Sequence, residues 1–312
     1  MRNTWSVFEK NQPCNFFIDG KYEIHIERNY AVVKRLSDEM MFRITGESLK
    51  FVSNLEVEKI SYYLDQLNIP QKNEKSCQKT LLKVKINSNS LMDINACLWI
   101  PILIGTIVLF LITEFWYGFS GIRGFEEKRS VLYFTFLILN IAMHELGHIV
   151  FCIASGRKVK GIGIKLNYYI PMFFVDTSDI CMRSKKYKVL TSLGGVYFNS
   201  LIGLTVIIIG YVIDNAAFQS LSYISFFFVI SNLVPFIKLD GYYIIADIMD
   251  VNNLEKTSKV AFRNYISKKN TNNNQKSLCV YYGLDIIFKV LLCLAIGISV
   301  ITYFGIDLFA SF

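Results

Sequence analysis

Apolar residues in this chain are gathered into long runs rather than spaced at amphipathic intervals. Five runs, 98–119, 131–154, 189–213, 221–237 and 286–306, are broken by only three ionised residues, Glu114, Glu145 and Lys289. A helix needs about 20 residues to cross a hydrocarbon core of roughly 30 Å, so each run predicts a transmembrane helix, the fourth a short one. The pattern differs before residue 85. Extended pieces at 22–26 and 31–35 are followed by helical spacing at 38–44 and 56–67, with Pro70 closing the last helix.

The fold class expected is an α-helical polytopic membrane protein of about five transmembrane helices, with a small α+β N-terminal cytoplasmic domain. Residues 1–85 form the soluble domain, 86–97 a polar connector and 98–312 the transmembrane domain. The stretch KKNTNNNQKS at 268–277 reads as a flexible loop by composition. No internal repeat is visible, which argues against a secondary transporter built from inverted repeats.

Composition agrees with a membrane protein: 53% of the 312 residues are hydrophobic and 19% are charged. The first 20 residues are polar and of mixed charge, unlike a cleavable signal peptide, so the N-terminal domain is expected to stay on the side where it is made. The net charge of +8 invites a nucleic-acid reading, but the cations sort by side of the membrane. Segment 157–188 carries eight Lys or Arg and 238–276 carries seven, whereas 214–220 and the tail after 304 carry none. By the positive-inside rule the N-terminus is cytoplasmic and the C-terminus outside. The loop 120–130 is discordant, with Arg123, Lys128 and Arg129 set against Glu126 and Glu127. The seven cysteines form no C-x-x-C, so neither a disulfide scaffold nor a thiolate cluster is expected.

Chemistry enters in the second run, where His144-Glu145-Leu146-Gly147-His148 matches H-E-x-x-H. Residues four apart share a helix face, so both imidazoles can bind one ion while Glu145, one step round, reaches the metal's water. Leaving such groups in hydrocarbon merely as polar residues costs several kcal/mol on the order given for membrane-centre charges. The chain has three histidines, and the third, His25, lies in the N-terminal domain as an ordinary surface or strand residue. A catalytic zinc takes three protein ligands and leaves a fourth position to water, so one more Asp, Glu, His or Cys must come from elsewhere. Cys152 is too far along the helix, about 12 Å of rise from His144.

A later run reads Asn232-Leu233-Val234-Pro235-Phe236-Ile237-Lys238-Leu239-Asp240-Gly241. H-E-L-G-H in one span followed by N-x-x-P-x-x-x-L-D-G in a later one resembles the site-2 protease family of intramembrane zinc metalloproteases. The resemblance implies that Asp240 is the third ligand of one zinc per chain, with Asn232 and Gly241 supporting it. Counted from the outer ends of their spans, His148 and Asp240 fall at similar depth, roughly 25 to 29 Å at helical rise. The other reading of Asp240 is a helix cap.

Gly194-Gly195-Val196-Tyr197-Phe198-Asn199 is similar to the family's small-residue-then-Asn motif, which implies that Asn199 lies near the active site; the family has Gly-Pro where Gly194-Gly195 stands, and helix packing alone also explains the glycines. Residues 161–176 resemble the family's membrane-dipping extended segment, which can offer an edge to a substrate strand, and an interfacial loop is the alternative. Across 130–255 the chain is most similar to the bacterial peptide zinc metalloprotease subgroup, associated with maturation of small ribosomal peptides. The N-terminal domain resembles the winged-helix peptide-binding domains found with such enzymes, a generic cytoplasmic cap being the other possibility.

The function expected is hydrolysis of a peptide bond in a membrane-associated protein or small peptide precursor, with Glu145 taking the proton of zinc's water. The partners expected are the bilayer, that substrate and peptide-maturation or export proteins, with no nucleic acid. The competing class is a zinc-binding membrane protein of peptide export or immunity that does not hydrolyse. Glu145 separates the two, because metal binding alone has no use for a carboxylate beside the first histidine.

Overall fold

The computed structural model describes residues 14–18, 20–27, 30–37, 39–46, 60, 62, 64, 80–85, 94–121, 130–167, 170–251, 253–267 and 273–303. The chain divides into two compact units, 1–226 and 227–312.

The first unit begins with strands β1 (Cys14–Ile18), β2 (Tyr22–Glu27), β3 (Tyr30–Arg35) and β4 (Met41–Thr45), paired in order as an antiparallel meander. Alternation along the strands sends Ile18, Tyr22, Ile24, Ala31, Val33 and Ile44 to one face, where helical residues Ile60 and Leu64 cover them. The other face places Tyr30 and Val32 against Met182. β4 overturns the helix expected at 38–44: Lys34↔Met41, Val33↔Phe42 and Ala31↔Ile44 pair instead. A short apolar run fits either period, and the available edge of β3 decides it. Of the helix expected at 56–67, only residues 60, 62 and 64 are described, and they are helical. Pro70, the connector residues 86–93 and the loop residues 122–129 lie outside the described residues.

A second antiparallel sheet joins β5 (Thr80–Lys85), β6 (Gly161–Asn167) and β7 (Ile170–Asp176) in that order. The extended segment expected at 161–176 is thus a hairpin, and a strand from before the first span completes its sheet. Polar residues on β2 and β3 tie the first sheet to the chain around this hairpin. Arg157 donates to both Glu23 oxygens at 2.7 and 3.1 Å and through Nε to Asp179 Oδ2 at 2.9 Å, and Lys34 donates to the other Asp179 oxygen. Burial raises the pKa of Asp179, but the charges of Arg157 and Lys34 outweigh it and hold the carboxyl below its ordinary range.

Five helices are long and apolar enough to cross a membrane. Four are α1 (Ala96–Gly121), α2 (Ser130–Ala154), α3 (Lys185–Val212) and α4 (Ala216–Leu233), whose last residues open the second unit. Outward side chains such as Phe115, Ile208 and Phe227 are large and apolar, as contact with lipid requires. Glu114, buried within α1, accepts a hydrogen bond from Ser222 Oγ at 3.1 Å.

The second unit continues with α5 (Asp240–Ile248), α6 (Leu254–Ile266) and α7 (Asn273–Tyr303), the fifth crossing helix. Two expectations change here. The fourth span ends at Leu233 rather than residue 237, because Pro235 lacks an N–H to continue the ladder, and residues 234–239 form a turn. Asp240 therefore starts a new helix, and counting helical rise from the fourth span does not give its depth. The fifth helix starts at Asn273, not residue 286, so residues 273–277 of the expected loop are helical, whereas 268–272 lie outside the described residues. Leu278 and Tyr281 hold that first part down by packing with Tyr242, Leu254 and Ala261. Lys289 pairs with Asp285 at 2.8 Å, one helical turn away.

Candidate metal centre

Asn140, His144 and His148 follow one another at four-residue intervals and so form one stripe along α2. That stripe faces α3 at very short range. A Cβ on Gly147 would fall 2.2 Å from the Gly194 carbonyl oxygen, and one on Gly194 would fall 2.7 Å from the Gly147 oxygen. Only glycine at both positions lets the two backbones meet. Gly195 serves the rings instead, because a Cβ there would lie 2.7 Å from His144 Cε1, 2.8 Å from His144 Nε2 and 2.8 Å from His148 Nε2. The glycine pair is therefore divided between packing, through Gly194, and space beside the imidazole edges, through Gly195.

The hydrogen-bond partners of the rings fix which nitrogens are protonated. His148 Nδ1 lies 2.8 Å from the Thr191 carbonyl oxygen, which only accepts, so Nδ1 carries the proton. His144 Nδ1 lies 2.9 Å from Asn199 Oδ1. With both protons on Nδ1, the Nε2 lone pairs face each other across 3.2 Å. Two nitrogens bound tetrahedrally to one zinc at about 2.0–2.1 Å would stand about 3.3 Å apart, close to what is seen. Two unprotonated nitrogens at this separation repel, and a shared cation turns that repulsion into attraction. The donor set thus fits a zinc ion. His144 is 9% exposed and Asn199 is fully buried, so these bonds form in a low-dielectric interior. Glu145, half-buried, follows His144 on α2, about 100° round the helix from the ligand stripe.

In the second unit, Asp240 is the first residue of α5, with Leu239 as its N-cap. A carboxylate there is favoured by the helix dipole, so the cap reading has a structural basis that does not compete with ligation. Gly241 sits against the end of α4: a Cβ would meet the Leu233 carbonyl oxygen at 2.5 Å and that of Asn232 at 2.9 Å. Asn232 is buried and donates to the Phe228 carbonyl at 2.9 Å. Tyr281 Oη, donating to the Pro235 carbonyl at 2.8 Å, fastens the turn before Asp240. The glycine at 241 thus lets the first turn of α5 lie directly against the end of α4.

Of the remaining sequence expectations, His25 is a buried strand residue beside Glu27, and the Cys152 thiol faces the Lys158 carbonyl, so neither joins the histidine pair. Three residues escape a reading of the sequence. Thr191 contributes only its backbone, which no side-chain pattern marks. Asn140, four residues before His144 in an apolar helix, carries a usable signal, because that spacing puts it on the ligand stripe. Ser225 Oγ donates to Asn140 Oδ1 at 2.8 Å, and nothing local in the sequence points to it.

Comparison with known proteins agrees with the motifs. Residues 125–245 match a family model described as Peptidase M50B-like. Over 131 residues the chain is 28% identical to a Bacillus subtilis (strain 168) protein named "Putative peptide zinc metalloprotease protein YydH", an alignment covering 41% of this chain and 52% of that one. The match thus spans about half the length of that relative. No solved structure matches. Both matches support the resemblance to the site-2 protease family, and the second extends it to the bacterial peptide zinc metalloproteases.

Proposed function

We propose that this protein is an intramembrane zinc metalloprotease with His144 and His148 as zinc ligands, Asp240 as the third ligand that the sequence resemblance implies, and Glu145 as the general base. The observation that carries the reading is the pair of imidazoles with their Nδ1 groups hydrogen-bonded away and their Nε2 atoms 3.2 Å apart. Zinc held there would supply a Lewis acid that polarises a carbonyl and lowers the pKa of water to about 7.

The remaining roles fall to the chain itself. Glu145 accepts the proton of the attacking water and returns it to the leaving amine. Asn199 and the Thr191 carbonyl keep both rings in the orientation and tautomer that ligation needs. Gly195, buried against the ring edges, leaves the two imidazoles the room that a side chain there would take. His148 stands six residues before the end of α2 at Ala154, about 9 Å, which keeps the path for water short. The substrate class proposed is a membrane-associated protein or small peptide precursor, cut close to that face.

We place the N-terminal sheet and segment 157–188 together on the cytoplasmic side and the C-terminus outside. The Arg157 bonds to Glu23 support the first part, since they require both segments to share one side of the membrane. Cysteine labelling from either side tests it; a cytoplasmic C-terminus would mean that one of the five helices does not cross.

Metal content tests the ligand set. Purified protein is expected to hold about one zinc per chain. His148→Ala and Asp240→Ala are each expected to lose most of it. Equal zinc in wild type and Asp240→Ala would remove Asp240 from the site and require another third ligand.

A further inference from the structure

Behind His144 runs a chain of amides whose direction is fixed at its far end. The Phe136 carbonyl can only accept, so the group facing it at 3.1 Å is the Asn140 NH₂. Asn140 Oδ1 then points the other way, where it accepts from Ser225 Oγ at 2.8 Å and from Asn199 Nδ2 at 3.2 Å. With its NH₂ committed to Asn140, Asn199 has only its oxygen to turn toward His144 Nδ1. The proton on His144 is thereby placed on Nδ1 and the lone pair on Nε2. Asn140, Asn199 and Ser225 are all fully buried, so water does not compete for these groups.

We propose that Asn140, held by Ser225, is a positioning residue for the metal centre: it sets the amide orientation of Asn199 and through it the metal-binding tautomer of His144. The inference rests on the metalloprotease reading above. An unanchored Asn199 could rotate by 180° and present NH₂ to His144, which would then have to accept at Nδ1 and carry its proton on Nε2, where it cannot ligate. Asn140 thus acts two hydrogen bonds back from the metal and touches neither zinc nor substrate.

The test uses the full chain in lipid nanodiscs, with zinc dissociation constants from chelator competition and ¹⁵N spectra of the metal-free protein. Only three histidines contribute to those spectra. Asn140→Leu, similar in volume but without polar atoms, is expected to weaken zinc binding by about 10–100-fold and to give His144 an Nε2–H population absent from wild type. Asn140→Asp, which as the neutral acid keeps an acceptor toward Asn199 and Ser225 and a donor toward the Phe136 carbonyl, is expected to retain the single Nδ1–H tautomer of His144. Ser225→Ala, the mildest change, is expected to fall between them and covers the case in which Asn140→Leu does not fold. Folded Asn140→Leu or Ser225→Ala protein that melts earlier, yet keeps wild-type zinc affinity and a single His144 tautomer, would overturn the inference. A His148→Ala control separates the two readings: if it loses zinc while the Asn140 variants do not, the positioning role fails and the metal site stands. If it keeps zinc, the metal site fails, and the tautomer spectra still decide the role of Asn140.

Discussion

Glu145→Gln is expected to reduce peptide cleavage by about 10²–10⁴-fold, the usual worth of a positioned general base, while leaving zinc content at the wild-type level. The separation follows from where the residue sits. Asn140, His144 and His148 form one stripe along α2, and Glu145 is displaced from it by about 100°. His144 is held by Asn199 and His148 by the Thr191 carbonyl, so Gln at position 145 leaves both of those bonds in place. Gln preserves the volume and one oxygen but cannot take a proton. Glu145→Asp keeps the charge and withdraws it by one methylene, and it too is expected to leave little activity because proton transfer needs hydrogen-bond reach of about 3 Å. The measurement is co-expression with candidate small peptides encoded by neighbouring genes, followed by mass analysis of the products. Substrate processing that continued unchanged in cells holding only the zinc-loaded Glu145→Gln protein would mean that Glu145 does not make the cut, and would favour a zinc-binding protein of peptide export or immunity.

What is legible in the sequence follows from which forces are local. Crossing helices are recognised by length and hydropathy because lipid leaves the backbone no other partner, and the five apolar runs match the five long apolar helices. Their ends are less visible. Pro235 marks the break after Leu233, but the apolar run continues past it and hides the turn. The start of α7 is masked by Asn and Lys, residues that read as loop until Leu278 and Tyr281 find their partners on α5 and α6. β4 depends likewise on a neighbour, the edge of β3, that no local window contains.

In the candidate site, the histidine pair is legible because two imidazoles four apart in an apolar helix are costly to bury unless they bind something. The shell around them is legible only where it shares their helix. Asn140 can be found from its spacing to His144. Ser225 and the Thr191 carbonyl arrive from other helices, and their part is visible only once the helices are packed.

Gly195→Ala is expected to cost the protein its zinc while leaving it folded. The added methyl would sit 2.7–2.8 Å from three atoms of the two rings, closer than real Cβ contacts come. Something must yield, and the rings are the movable part, since α2 and α3 are fixed by backbone contact at Gly147 and Gly194. The rings cannot turn aside freely, because each is tied at Nδ1, so relieving the clash breaks either the Asn199 or Thr191 bond or the convergence of the Nε2 atoms. The loss of affinity should be at least the 10–100-fold, roughly, that follows removal of a supporting contact. Two further glycines supply the contrast. Gly147→Ala drives a methyl to 2.2 Å from a backbone oxygen that cannot move aside, and is expected to separate the helices and lower stability as well as zinc content. A methyl on Gly105 would have nothing within 4 Å, so Gly105→Ala is expected to change neither. Zinc content and thermal midpoint measured on all three variants distinguish a packing defect from a displaced ligand pair. Full zinc in Gly195→Ala would mean that the metal is not held by these two imidazoles in this arrangement.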